Sequence, residues 1–515
     1  MIREFKNEQF VDFTVDQNQK LMEDAIKKVE SELGKTYPLI IGGKRIITKD
    51  KFNSINPSNK DEVIGEFSKA DKDAAEKAIK TAYKTFDEWK NVPADIRSRY
   101  LFKAASIMRD RKFELAATMI LEEGKSWVEA DGDVAEAIDF LEFYGRENMR
   151  LNLPQPLTEY EPEENNLYYI PLGVGAVIPP WNFPLAILVG MTSAALVTGN
   201  TVILKPASTS PLIGYKFMEI LEEANLPPGV VNFVPGSGAV IGDFIVSHPK
   251  IRFICFTGSK EVGTRINALA AKVERDQIWI KRTILEMGGK DAILVDNSAD
   301  LDSAAEGIVG SAFGFQGQKC SACSRLIIHK DVYNELVEKI VKRAKEIKVG
   351  QVKDRKNFMG PVIDEASYEK ILKYIEIGKK EGKLVLGGNK AKGNGYFIEP
   401  TIIKDIAPNA KLAQEEIFGP VLAVIKADSF DHGLEIVNGT EFGLTGAVYS
   451  KSRMNLEKAR RDFHVGNLYF NRKCTAALVG IHPFGGFNMS GTDSKAGGRD
   501  YLLLFTQAKL VSEKL

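Results

Sequence analysis

Cys320 sits in Gly317-Gln318-Lys319-Cys320-Ser321, with a lysine before it and small polar residues after it. The thiolate is the form of cysteine that attacks an electrophilic carbon, and a neighbouring cation favours it. Lys319 supplies that cation, and Gly314 and Gly317 make a break that presents the thiol rather than burying it. Cys323 completes a Cys-x-x-Cys spacing, which suits redox chemistry or zinc. No second pair follows to finish a four-ligand site, so Cys323 is read as packing and no metal is expected.

The other candidates lie where apolar runs stop. Asn182, in Ile178-Pro179-Pro180-Trp181-Asn182-Phe183-Pro184, is a carboxamide on a loop stiffened by prolines; alone it would read as a helix cap. Lys205, before Pro206-Ala207-Ser208, is an exposed charge by default, or a group reaching for a phosphate or a ribose hydroxyl. Thr257-Gly258-Ser259 passes from a strand into a helix, where Ser259 serves as an N-cap, as part of an anion site, or as both. Gly236-Ser237-Gly238 is weak evidence, because with Gly242 its spacing is not the dinucleotide fingerprint. Glu286 precedes Gly288-Gly289; an isolated glutamate is usually a surface residue, but at a hinge it can face a cleft. Some desolvation would let it act as a base near neutral pH. Glu416 and Phe418 share a stretch that reads as a simple turn.

A regular alternation must position these side chains. Strands are predicted at Val174–Ile178, Thr201–Leu204, Val230–Val234 and Phe253–Phe256. The helices between them run from about Pro184 to Val197, near Leu212–Ala224 and near Val240–Val246, with another starting at Glu261. This pattern implies right-handed βαβ crossovers and a doubly wound parallel sheet that binds ligands beyond the carboxyl ends of its strands. A second α/β unit follows Gly288-Gly289 and holds the Cys320 loop, helices Val332–Ala344 and Glu365–Glu381, and a strand ending at Phe470. Upstream, 3.6-residue periodicity predicts helices at Gln17–Leu33, Asp71–Lys90, Ala94–Asp110, Lys112–Glu123 and Ser126–Tyr144, their charged faces solvated. The polar, proline-rich residues 147–167 fit no core element and read as an arm, and the tail turns strand-like before its end. The expected division is 1–146 with 168–287 for dinucleotide binding and 288–470 for catalysis. Residues 147–167 with 492–515 form an oligomerisation arm, and 471–491 a substrate loop and return segment.

Composition narrows the partners. The 515 residues carry 69 basic and 69 acidic side chains, a balance that argues against nucleic acid or an anionic membrane as partner. Asn165–Leu204 lacks charge, but its prolines and glycines punctuate a strand, a loop and a buried helix rather than a membrane span. Four cysteines make no disulfide framework, and the run from Met1 to Lys6 lacks the apolar stretch of a signal peptide, so the expected location is cytoplasmic.

The Cys320 loop resembles the catalytic-cysteine loop of the NAD(P)-dependent aldehyde dehydrogenase superfamily, and its wording from Gly317 to Arg325 is similar to the glutamate-semialdehyde branch. Further motifs follow in family order from Pro179 to Gly491, so the resemblance covers essentially the whole chain. It implies an aldehyde dehydrogenase-like α/β fold and oxidation of glutamate γ-semialdehyde, opened from pyrroline-5-carboxylate, to glutamate in proline and arginine catabolism. Cys320 would be the nucleophile, Asn182 an oxyanion donor and Glu286 the activator of water. NAD or NADP would lie against Pro180, Trp181, Lys205, Ser208, Gly238, Thr257, Gly258 and Ser259, with Glu416 and Phe418 at the nicotinamide end. Many family members carry glutamate where this chain has Ser208, and that carboxylate repels a 2′-phosphate, so both cofactors are expected. The loop after Asn471 would hold the substrate carboxylate through backbone N–H groups at Ala476 and Ala477, helped by Ser321, with Phe183 and Phe484 walling the aliphatic part. The branch has glycine at the position of Ala476, where a positive φ would cost alanine on the order of 1 kcal/mol. A homodimer or higher homo-oligomer is implied. Two rivals stay open: a dehydrogenase of another aldehyde, and a silent relative, which the intact Cys320, Asn182 and Glu286 speak against.

Overall fold

A parallel strand covered on both faces must be apolar along its length. Val174–Ile178, Thr201–Leu204 and, Arg252 apart, Ile251–Thr257 come close to that condition and are buried almost throughout. In the computed structural model, which describes residues 3–515, they form the centre of a seven-stranded sheet. Its order is Arg282–Glu286, Ile251–Thr257, Val174–Ile178, Thr201–Leu204, Val231–Phe233, Leu39–Ile41 and Lys44–Ile46. The first five are parallel, and the last two add an antiparallel edge. The first two residues of the N-terminal run lie outside the described residues.

The second unit repeats the plan with Lys383–Leu386, Thr401–Lys404, Val421–Ala427, Arg325–His329, Ala292–Val295, Thr445–Tyr449 and Asn467–Phe470, all parallel except the first pairing. Helix Ala186–Val197 is apolar all round because it lies between the first sheet and the long helix Trp127–Leu151. Among the described residues no helix is long and apolar enough to cross a membrane.

Two of the boundaries that differ from expectation bear on the arm. The helix predicted to stop at Tyr144 continues to Leu151, because Asn148 is buried and its amide donates to Ala94 O at 3.0 Å and Ser98 Oγ at 3.1 Å. Polar residues there mark a helix–helix contact rather than the start of the arm. The arm strand is Glu163–Pro171, which pairs antiparallel with Thr506–Lys514 as a separate two-stranded ribbon. Tyr168, Leu510 and Val511 on that ribbon are exposed.

Candidate active site

The Cys320 loop is held in a backbone shape that its residues do not favour. Asp300 caps helix Leu301–Phe313, and Phe315, Gln316 and Gly317 then take φ values of 47°, 57° and 67°. Left-handed residues other than glycine cost about 1–2 kcal/mol each and persist only where their surroundings fix them. Here the Gln316 amide donates to Gly124 O at 3.1 Å and Pro361 O at 2.8 Å, and Gln318 Oε1 accepts from Ile363 N at 2.9 Å. Gly317 is required, since a Cβ there would run into the Gly419 carbonyl. On the exit side Cys323 N donates to Ser311 O, and Arg325 N to Asp291 O. Cys323 itself is buried in the core, as packing requires.

Lys319 does not favour the thiolate, contrary to expectation. Its ammonium sits between the two carboxylate oxygens of Glu129, at 2.6 and 2.7 Å. The Cys320 thiol is instead pushed well above its ordinary value, first by burial and then by Asp291, Glu286 and Glu416. A base must therefore take its proton. Glu286 lines the same cavity as Cys320, and burial pushes its carboxyl up to about 7. Ser494 Oγ donates to Glu286 Oε1, while Oε2 is buried with no partner among the described residues.

Asn182 is 4% exposed and lies against the cysteine loop, its amide donating to Gln318 O at 3.1 Å. The Cys320 backbone N–H has no acceptor among the described residues. Through Gln318, Asn182 is fixed two residues from the thiol along the loop, a placement from which an amide can serve a developing oxyanion.

The cavity around Cys320 is walled by Phe183, Phe484 and Ser321, with Thr257 at one side and Ala476 and Ala477 at another. Thr257, expected at the cofactor, thus also faces the thiol. Ala476 has φ 65°, so the condition under which alanine is strained there is met. The N–H groups of Ala476 and Ala477 have no acceptor among the described residues.

Glu136 is a residue that sequence reasoning missed. It borders both the Cys320 cavity and the adjoining one behind Ser321, and burial pushes its carboxyl up to about 8. Glu129, Asp133 and Glu136 fall at i, i+4 and i+7, one stripe of their helix, which is the available signal. The stripe faces inward: Asp133 Oδ2 lies 3.0 Å from Lys125 Nζ, both side chains fully buried.

The cofactor candidates gather at the carboxyl ends of the first sheet. Lys205 is 6% exposed, so it is not the surface charge its sequence setting suggests by default. Its ammonium donates to Pro206 O at 3.2 Å, and burial pushes it down to about 8. A buried ammonium with a single neutral partner among the described residues has unused donors, which suits ribose hydroxyls. Ser208 is exposed beyond it, as is Gly238 at the start of a short helical turn. Ser259 caps helix Lys260–Ala271, accepting from Val262 N, and Gly258 N donates to Glu286 O at 3.0 Å. Pro180 is half-buried at the end of its strand. Trp181 meets Phe418 edge to face at 5.5 Å, and Glu416 Oε1 accepts from Gly289 N at 2.9 Å. Buried lysine, capped helix start, carboxylate and aromatic wall together fit a dinucleotide.

A buried thiol and a raised carboxyl share one cavity beside two such sheets, an arrangement that suits aldehyde oxidation, and residues 46–511 match the aldehyde dehydrogenase family; the chain belongs to that family. A 1-pyrroline-5-carboxylate dehydrogenase of Geobacillus sp. (strain WCH70) is 60% identical over 513 residues, covering 100% of both chains. The crystal structure of 1-pyrroline-5-carboxylate dehydrogenase from Thermus with bound NAD is 51% identical, with a TM-score of 0.99 and full coverage of both chains. An aldehyde dehydrogenase from Bacillus cereus is 32% identical with a TM-score of 0.90, covering 95% of this chain and 98% of its own.

Proposed function

We propose that this chain oxidises glutamate γ-semialdehyde, the open form of pyrroline-5-carboxylate, to glutamate, with NAD as acceptor. The carrying observation is the cavity itself. Cys320 lines it together with Ser321, Glu136, Ala476 and Ala477, and the N–H groups of the last two have no acceptor among the described residues. Neutral donors suit an α-carboxylate, as in other carboxylate-capture loops. Glu136 suits an α-ammonium, whose charge would favour the ionised acid. The relatives named for pyrroline-5-carboxylate, at 60% and 51% identity, support the same reading.

In the mechanism, Glu286 takes the thiol proton and Cys320 Sγ attacks the aldehyde carbon. The Asn182 amide and the Cys320 N–H stabilise the oxyanion, an interaction of about 3 kcal/mol per donor. Lys205, Glu416 and Phe418 would hold the dinucleotide, whose nicotinamide would supply the hydride acceptor. Glu286 then gives the thiol proton up to solvent and, ionised again, deprotonates the water that cleaves the thioester on Cys320; glutamate is released and the leaving sulfur takes a proton back to restore the thiol. The reaction suits a reducing, cytoplasmic setting, and the ribbon with Tyr168, Leu510 and Val511 would join subunits into a homodimer or larger assembly.

The ionised carboxylate is the base, so activity falls as pH drops through the Glu286 value of about 7. Glu286→Gln is expected to lower kcat by about 10²-fold or more and to remove this limb from the kcat profile. An unchanged limb in the variant would assign it to another group.

With Ser208 exposed and uncharged near the adenine-ribose position, NADP is expected to serve as well as NAD. Ser208→Glu should raise the KM for NADP selectively, through like-charge repulsion with the 2′-phosphate. Wild-type protein with no measurable turnover on NADP would contradict this.

A further inference from the structure

Arg472 lines neither cavity beside Cys320, and its guanidinium serves the backbone. Its Nη2 donates to Thr475 O at 2.8 Å and Ala476 O at 3.0 Å, and its Nε to Lys473 O at 3.3 Å. Its Cζ lies 4.4 Å from the centroid of the Tyr469 ring, and Nη1 is 3.5 Å from His482 Nε2. No carboxylate is among these described partners, although a guanidinium pairs best with one.

The two clamped carbonyls determine where the neighbouring N–H groups point. Among the described residues only Glu161-Pro162 is cis, so the Thr475-Ala476 and Ala476-Ala477 peptides are trans. In a trans peptide the C=O and the N–H point in opposite directions. With the carbonyls of Thr475 and Ala476 turned to Arg472, the N–H groups of Ala476 and Ala477 are turned away from it. Both residues line the Cys320 cavity, and both N–H groups lack acceptors among the described residues. Ala476, at φ 65°, holds a backbone shape that alanine rarely adopts unaided. A second brace fixes the far end of the loop, where Leu478 N donates to His482 Nδ1 at 3.2 Å and His482 N to Leu478 O at 2.8 Å.

We propose that Arg472 is a positioning residue for substrate specificity: by clamping the Thr475 and Ala476 carbonyls it presets the Ala476 and Ala477 N–H groups as paired donors for the substrate carboxylate. It also strengthens them, since a cation on the carbonyl polarises the peptide and makes its N–H a better donor. Arg472 does not touch the substrate, and the inference rests on the reading that this loop receives the α-carboxylate.

The test compares wild type with Arg472→Gln and Arg472→Lys, on glutamate semialdehyde and on butanal, with L-glutamate affinity measured by calorimetry. Arg472→Gln is expected to raise both the KM for glutamate semialdehyde and the Kd for L-glutamate by about tenfold or more, the scale of hydrogen bonds from charged groups. Its kcat should stay within about twofold and its kcat/KM for butanal should not change, because butanal has no carboxylate to hold. Arg472→Lys, which keeps the charge but cannot span two carbonyls, should fall between the two. Undiminished glutamate affinity in Arg472→Gln, or equal losses on both aldehydes in Arg472→Lys, would overturn the role of Arg472 alone. Wild-type protein that binds no L-glutamate and prefers neither aldehyde would overturn the substrate reading, and this inference with it.

Discussion

Cys320→Ala is expected to abolish aldehyde oxidation, by roughly 10⁴-fold or more, as loss of a covalent nucleophile does. Dinucleotide affinity should survive, because Lys205, Ser259 and Glu416 are held by other elements. Cys323→Ala should leave kcat nearly unchanged, since Cys323 is 1% exposed, does not line the Cys320 cavity, and its thiol donates to Arg325 O at 3.4 Å. Alkylation offers an independent check. Cys255, Cys323 and Cys474 are buried, which leaves Cys320 as the accessible thiol. Its raised value means that labelling should be slow near neutral pH and accelerate as pH rises. Peptide mapping that places the label mainly on Cys323 would contradict the assignment.

Much of the fold can be read from the sequence because local signals agree with the tertiary outcome. Short apolar runs ended by glycine, proline or a polar cluster become parallel strands, and the candidate side chains at their ends converge because a doubly wound sheet directs those ends to one edge. What the sequence hides are pairings between distant segments. Lys319 is adjacent to Cys320 in the chain, yet its partner is Glu129, 190 positions away, so proximity in sequence gave the wrong chemistry. Glu136 is hidden for a related reason: a charged stripe on a helix reads as solvated until another layer covers it. The helix extension to Leu151 depends on Asn148 reaching Ala94 and Ser98, a contact that periodicity does not encode. At Ala476 the reverse holds: an alanine in a glycine position pointed to strain, and its φ of 65° has it.

The specificity of the cavity carries the second large effect. A site built to pair polar groups rejects an analogue lacking them far more strongly than an apolar pocket rejects a missing methylene. Butanal leaves the Ala476 and Ala477 N–H groups, Ser321 and Glu136 without partners in a partly desolvated cavity. Each group left unsatisfied costs about 1–3 kcal/mol. Three or four such losses place the discrimination at about 10³-fold or more. Phe183 and Phe484 contribute little to it, since they contact the aliphatic part of either aldehyde. The most direct measurement is kcat/KM for glutamate semialdehyde and for butanal on the same preparation with saturating NAD. A ratio of about 10³ or greater is the predicted result; comparable values for the two aldehydes would contradict recognition of an amino-acid head in this cavity.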